Sequence, residues 1–342
     1  MKKNKTICYV AGKSGGHIIP CLTHAAREKR EHRADKILFF TTNSKLDKDI
    51  LSSNSIIDMH VALPYENFPG KKIWRYPYFF YTVIASIIQS LIVLIRERPI
   101  AVISMGGLVS IPVCFAARIL RIDVILYELN VKPGKAIMQL APWAKEVYIM
   151  FQETKKYFPT INCTKVSYPV RYSESVLLIK KEEAQKRLGL SKDYITILVL
   201  GGSQGSLFLN NLIKRLYDFD KNIFSKVQVI LQAGGSDNFD WSAWYVQNNI
   251  PATIFAFKDD LSDCYVAADM IICRSGAGTL AETLFFKKPC ITIPLQTAAT
   301  EHQILNAHAY AKEYPHLFSV CQQADLEESI EALYKQIIRY LK

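Results

Sequence analysis

A histidine directly after two glycines, at the end of an apolar run, is the first group in this chain placed to do chemistry. Thr6 to Ala11 leads into Gly12-Lys13-Ser14-Gly15-Gly16-His17. An imidazole at such a turn stands over a ligand cleft, where its near-neutral pKa suits a general base. Glu128 and Asn130 end a second apolar run before Pro133-Gly134. They are expected to point into the same cleft, with Glu128 either orienting the histidine or holding a sugar hydroxyl. The second half carries two further turns, Gly201-Gly202-Ser203-Gln204-Gly205-Ser206 and Arg274-Ser275-Gly276-Ala277-Gly278. Backbone N–H groups left over at a helix start bind anionic oxygen. Ser203 adds a hydroxyl and Gln204 an amide. Glu282, three residues after Thr279, reads either as a ligand contact or as the acid of a capping box. Phe257, after a short strand Thr253 to Phe257, is placed to set a planar base against backbone groups. Anion sites in one half and a base in the other imply group transfer from a nucleotide-activated donor to a hydroxyl.

Parallel strands must position these groups. In the first half the expected strands are Thr6 to Ala11, Lys36 to Thr41, Ile56 to Ala62, Ile100 to Ser104, Val124 to Tyr127 and, last, Val147 to Phe151. A helix is expected from about Pro20 to Arg30, and another from Val113 to Arg121 after the turn Met105-Gly106-Gly107. In the second half Ile195 to Leu200, Val227 to Gln232, Met270 to Cys273, Pro289 to Pro294 and Leu317 to Val320 read as strands. Thr279 to Lys287 reads as a helix, His302, Gln303 and Asn306 as part of a loop, and Leu326 to Tyr340 as one closing amphipathic helix. The fold class is α/β: two doubly wound, Rossmann-like halves whose binding edges face each other across a cleft. The expected boundaries are 1–165, 166–325 and a closing segment 326–342. Neither a P-loop nor a G-x-G-x-x-G fingerprint is present, which argues against hydride transfer.

The net charge of +11 is uneven. Residues 1–165 hold 24 Lys and Arg against 12 Asp and Glu; the remainder hold 18 against 19. A basic half suits anionic lipid or a phosphorylated substrate; no nucleic-acid-binding signature accompanies it, so nucleic acid is not expected. Tyr76 to Ile95 runs 20 residues without a charge, between Lys71, Lys72, Arg75 and Arg96, Arg98. That length reaches the lower bound for a membrane span. The strand that follows at once favours instead a sheet-packing helix with an exposed apolar face lying on an anionic membrane. The eight scattered cysteines contain no C-x-x-C pair, which fits a reducing compartment, and the N-terminus reads as strand and turn rather than signal peptide.

As a set, these pieces resemble the MurG family, the bacterial peptidoglycan N-acetylglucosaminyltransferases of glycosyltransferase family 28, over about residues 5–340. The residues that carry the resemblance are Gly15-Gly16-His17 with Pro20, Gly106-Gly107 with Ser110 and Pro112, Glu128 with Asn130, and Pro169-Val170-Arg171. They continue with Gly201-Gly202-Ser203-Gln204-Gly205, Arg274-Ser275-Gly276-Ala277, Glu282, His302-Gln303 and Asn306-Ala307. The resemblance implies the GT-B fold, UDP-GlcNAc as donor and lipid I as acceptor. It also implies inversion at the anomeric carbon to give lipid II, on the cytoplasmic face of the inner membrane. It places the diphosphate near Ser203, Gln204, Gly205 and Arg274–Ala277, the ribose on Glu282, the GlcNAc hydroxyls on His302 and Gln303, and Arg171 near the nucleotide. His17 becomes the base or an acceptor-site residue, with Glu128 and Asn130 beside it and Gly15, Gly16, Gly106 and Gly107 lining the acceptor. No tightly bound cofactor or protein metal site is expected, a divalent cation being left open as an activator. Partners are the membrane, the lipid-linked acceptor, and proteins of wall synthesis and division.

Three departures stand out. The family's G-G-T-G-G-H reads here with Lys13, a cation directed toward the acceptor diphosphate. Ile137 stands where an asparagine is usual, and Ser167-Tyr168 replace Gly-Asn before Pro169. Three other classes stay open: a lipid glycosyltransferase with another acceptor, a UDP-GlcNAc 2-epimerase, and a regulatory subunit that keeps the fold.

Overall fold

The computed structural model describes residues 5–52, 54–66, 68–202, 205–235, 238–297 and 300–341. The chain divides into two compact units, 1–171 and 172–342.

The first unit alternates strand and helix. β1 (Thr6–Val10), α1 (Gly15–Arg30), β2 (Lys36–Thr42), α2 (Lys45–Ser52) and β3 (Met59–Leu63) build one side of the sheet. After α3 (Tyr76–Glu97) come β4 (Ala101–Ser104), α4 (Ser110–Ile119), β5 (Asp123–Glu128), α5 (Lys135–Leu140), β6 (Glu146–Ile149) and β7 (Cys163–Lys165). The seven strands are parallel in the order β3-β2-β1-β4-β5-β6-β7. β1, β4 and most of β2 are buried on both faces, as apolar runs without alternation require.

The second unit repeats the plan. Its elements are α6 (Lys181–Arg187), β8 (Ile195–Leu200), α7 (Leu207–Phe219), β9 (Val227–Gln232), α8 (Trp241–Gln247), β10 (Ala252–Phe255), α9 (Ser262–Ala267) and β11 (Met270–Cys273). α10 (Ala277–Phe285), β12 (Cys290–Thr292), α11 (Glu301–Glu313), β13 (Phe318–Val320), α12 (Gln323–Glu328) and α13 (Glu331–Leu341) complete it. Its parallel sheet runs β10-β9-β8-β11-β12-β13. In each sheet the winding reverses once, between β1 and β4 and between β8 and β11. Ligands bind at such switch points, beyond the strands' carboxyl ends. All four glycine turns singled out from sequence leave these four strands.

Several expectations are corrected. α1 begins at Gly15, not near Pro20, because Ser14 caps it by accepting from Gly16 N–H at 3.1 Å. His17 is therefore in the first helical turn. A seventh strand, β7, is only three mostly exposed residues at the sheet edge, too short and polar to give an apolar signal. His302, Gln303 and Asn306 lie on a helix, α11, whose buried face carries Asn306, Ala307, Ala309 and Tyr310; the polar residues masked the period. The closing segment is two helices, broken at Ser329, and Leu326, Leu333 and Ile337 belong to the second unit's core.

α3 has its polarity reversed. Thr82, Ser86, Ser90 and Leu94 face inward, while Phe80, Tyr81, Ile84, Ile88, Ile92 and Ile95 are exposed. The inward hydroxyls donate to carbonyls of their own helix: Thr82 to Phe79 at 2.8 Å, Ser86 to Thr82 and Ser90 to Ser86 at 2.7 Å each. Small, internally satisfied side chains let α3 approach α4 closely, at a face carrying Val113, Ala116 and Ala117. The helix is also long and apolar enough to cross a membrane. Overpacking the inner face with Ser90→Leu is expected to lower unfolding free energy by about 1–3 kcal/mol. Ile88→Ser on the outer face should change it by less than about 0.5 kcal/mol. Urea denaturation of the lipid-free protein distinguishes the two.

Candidate active site

In the first unit His17 is positioned by the turn after β4. Its Nδ1 lies 2.8 Å from the Met105 carbonyl oxygen. A carbonyl only accepts, so Nδ1 carries the hydrogen and Nε2 is the lone-pair nitrogen of the neutral ring. Gly106 makes room: a Cβ there would meet the imidazole Cε1 and Nδ1 at 2.8 Å, and its φ of +109° is a conformation that side chains resist. Gly107 follows, also in the left-handed region. Gly15 and Gly16 form the first turn of α1, which carries no acidic residue, so its positive end is uncompensated.

Lys13 stands at φ +60°, where the family pattern has glycine. A non-glycine residue there costs about 1 kcal/mol. What offsets it is Asp47 on α2, which sequence reasoning missed. The fully buried Asp47 carboxylate accepts from Lys13 N–H at 2.7 Å, Thr42 N–H at 3.0 Å and the Thr42 hydroxyl at 2.6 Å. The Lys13 ammonium makes no ion pair among the described residues, and burial lowers its pKa.

Glu128 is not an exposed strand end. It ends β5, two strands from β1, and is almost wholly buried. Oε1 accepts from Asn130 N–H at 2.9 Å and from the Asn130 amide at 3.3 Å, and Oε2 accepts from Gly134 N–H at 2.8 Å. Glu128 thus holds the 129–134 loop, and the Met105 carbonyl orients the His17 ring. Burial pushes the Glu128 carboxyl up to about 7, against the opposing pull of those hydrogen bonds.

In the second unit Arg274, just past β11, is buried. Its Nε and Nη2 donate to Ser206 Oγ at 3.2 and 3.0 Å, Nη1 donates to the Ile293 carbonyl at 3.1 Å, and the guanidinium lies 5.2 Å from the Phe208 ring centroid. Every one of those partners is neutral, and no carboxylate lies within ion-pair distance among the described residues. Burial lowers its pKa to about 10, so it stays charged at neutral pH. Ser206 caps α7, so Arg274 ties together the turns after β8 and β11. Gly205 has no alternative: φ is +77° and a Cβ would lie 2.3 Å from the Ala233 carbonyl. Ser203 and Gln204 lie outside the described residues.

Gly276 caps α10 and Ala277 begins it. The Ser275 hydroxyl turns inward to Thr292 Oγ1 at 2.7 Å, so this turn offers its backbone rather than that side chain. Asn306 supports the turn by donating to the Ser275 carbonyl at 3.4 Å. Glu282 is the sixth residue of α10, which removes the capping-box reading. Its Oε2 accepts from the Tyr265 hydroxyl at 3.0 Å. Gln303 accepts from Leu295 N–H at 3.1 Å, and burial lowers the His302 pKa. Phe257 is exposed beyond β10, and Arg171 is the last residue of the first unit. Among the described residues no group of three or more His, Cys, Asp or Glu is placed to hold a metal ion.

Comparison with known proteins follows the same division. Residues 7–149 match the glycosyltransferase family 28 N-terminal domain and residues 196–340 the family 28 C-terminal domain. A protein of Carboxydothermus hydrogenoformans is 31% identical over 306 residues, covering 89% of this chain and 81% of its own. One of Protochlamydia amoebophila is 32% identical, covering 89% and 80%. Both are named UDP-N-acetylglucosamine–N-acetylmuramyl-(pentapeptide) pyrophosphoryl-undecaprenol N-acetylglucosamine transferase. Among solved structures, MurG of Acinetobacter baumannii superposes with a TM-score of 0.76 at 22% identity, covering 99% of this chain and 92% of its own. A UDP-GlcNAc 2-epimerase of Neisseria meningitidis reaches 0.60 at 14%, covering 91% and 92%, a likeness of fold alone.

Glu128 generates a pH test. Its folded pKa, about 7, lies above the ordinary 4.5 of a glutamate carboxyl, so the ionised form is worse off folded than unfolded. Its contribution to stability is full below pH 4.5 and is lost as pH rises to about 7. The size is about 3 kcal/mol by linkage. Wild type should therefore lose stability relative to Glu128→Gln across that window. Denaturant unfolding of both proteins at half-unit pH steps measures it, and parallel curves would contradict it.

Proposed function

We propose, for a chain that belongs to glycosyltransferase family 28 and to its peptidoglycan N-acetylglucosaminyltransferases, that it moves N-acetylglucosamine from UDP-GlcNAc to undecaprenyl-pyrophosphoryl-N-acetylmuramyl-pentapeptide, lipid I, giving lipid II with inversion. The observation that carries the donor side is Arg274, a desolvated cation with only neutral partners at the switch point of the second sheet. An anion must be its natural complement there, and a nucleoside diphosphate supplies one. Glu282 takes the ribose hydroxyls, and His302 with Gln303 faces the sugar.

On the acceptor side, His17 Nε2 takes the proton of the attacking hydroxyl as its oxygen bonds to the anomeric carbon. The bond from that carbon to the diphosphate breaks, and UDP leaves with the electron pair. Lys13, in the left-handed region and without an ion pair among the described residues, meets the acceptor diphosphate together with the N-terminal end of α1. Glu128 acts through Asn130 by holding its loop. The outward face of α3, with Lys71, Lys72, Arg75, Arg96 and Arg98 around it, rests on the anionic cytoplasmic face of the cell membrane, where the acceptor's lipid is anchored.

Incubation with radiolabelled UDP-GlcNAc, with and without lipid I, tests the reading. Label is expected in the lipid. Conversion to UDP-ManNAc without lipid would make the protein an epimerase, and neither product would leave a binding role. His17→Ala should lower turnover by about 10²–10⁴-fold with UDP-GlcNAc affinity nearly unchanged; half the wild-type rate would assign His17 to structure.

Membrane attachment is tested by vesicle co-sedimentation. Each cation near the surface contributes about 1 kcal/mol, so raising salt should release much of the protein. Phe80→Ser/Ile84→Ser should bind weakly even at low salt. Retention through high salt and alkaline carbonate would mean integration instead.

A further inference from the structure

We propose that Tyr265 is a positioning residue for donor recognition: its hydroxyl fixes the Glu282 carboxylate so that the second unit distinguishes ribose from deoxyribose. The inference rests on the assignment of Glu282 to the donor's ribose and goes beyond it, since nothing in that assignment involves α9.

Tyr265 is fully buried on α9, and its hydroxyl donates to Glu282 Oε2 at 3.0 Å. The ring that carries this hydroxyl is clamped. It stacks on Phe286, four residues after Glu282, with centroids 4.8 Å apart and planes 3° from parallel. Tyr172 meets it edge-on at 6.0 Å and meets Phe286 at 5.1 Å. One aromatic side chain thus reads two positions a helical turn apart on the α10 side, and the stack sets where its hydroxyl points.

A half-buried glutamate with three rotatable bonds gives up side-chain entropy when a ligand orders it, by up to about 2 kcal/mol. A donor already fixed against Oε2 removes part of that cost before the nucleotide arrives. The carboxylate is then already oriented when a vicinal diol arrives to donate to it. Burial raises the Tyr265 pKa well above its ordinary value, so the phenol remains a donor throughout the working pH range. A tyrosine needing only a partner for its hydroxyl would be satisfied by a backbone carbonyl. This one is spent on a carboxylate at the helix position that the donor site uses.

The experiment is calorimetric titration of the full-length protein with UDP and with 2′-deoxy-UDP, for wild type, Glu282→Gln, Tyr265→Phe and Phe286→Leu. Wild type should prefer UDP by about tenfold, the value of one charge-assisted hydrogen bond. Glu282→Gln should abolish the preference. Tyr265→Phe, which keeps the ring and its packing, should reduce it to about threefold, with KM for UDP-GlcNAc raised and kcat nearly unchanged. Phe286→Leu, which frees the ring but keeps the hydroxyl, should do the same. If Glu282→Gln loses the preference while Tyr265→Phe and Phe286→Leu keep all of it, Tyr265 only fills space and the proposal falls. If Glu282→Gln itself keeps the wild-type preference, the ribose assignment falls and the proposal with it.

Discussion

A guanidinium taken out of water without a carboxylate beside it is the constraint on which the second unit depends. An unpaired buried ion costs several kcal/mol. Here the cost is reduced by neutral acceptors, Ser206 Oγ and the Ile293 carbonyl, and by the Phe208 face, all held by elements that meet at the β8/β11 switch point. Because Arg274 reaches the residue that caps α7, it couples the glycine turn after β8 to the turn after β11. The close approach at Gly205 follows from this geometry, since any larger residue would collide with the Ala233 carbonyl. A carboxylate in place of a neutral partner would offset more of the cost of burying the guanidinium.

The first unit solves a different problem. It sets an imidazole and a cation at one strand end. The Nδ1 side of the ring is bonded to a backbone carbonyl, Met105. The acid at this edge, Glu128, is instead spent on backbone N–H groups two strands away. Asp47 likewise works on the backbone, stabilising a left-handed Lys13 that glycine would adopt without help. In both cases a buried carboxylate shapes a loop.

The sequence discloses one level of this arrangement and conceals the next. Strand, glycine turn and helix are written in apolar runs and in residues that only a turn tolerates, so all four turns and His17 could be read. The partner of His17 could not, because a backbone carbonyl carries no side-chain signature. Asp47 and Tyr265 stood unnoticed because each acts across sequence, 34 residues from Lys13 and 17 from Glu282. Glu282 three residues after Thr279 looked like a capping box only because the helix was expected to start late; Gly276 caps it instead. α11 was read as loop because its ligand-type residues, His302 and Gln303, occupy its first turn, where polar side chains are normal.

α3 shows why burial cannot be inferred from polarity alone. Its charge-free run reads as a helix with an exposed apolar face, and its least polar residues are indeed outside; what the run does not disclose is that its hydroxyls are inside. In water this orientation forgoes about 25 cal/mol for each Å² of apolar surface left exposed. Rotating the helix would bury the isoleucines but drive them into α4, where the small inward residues now permit close approach. The hydroxyls would gain nothing by exposure, since each is already bonded within the helix. The packing against α4 therefore fixes the rotation and leaves the apolar face outward.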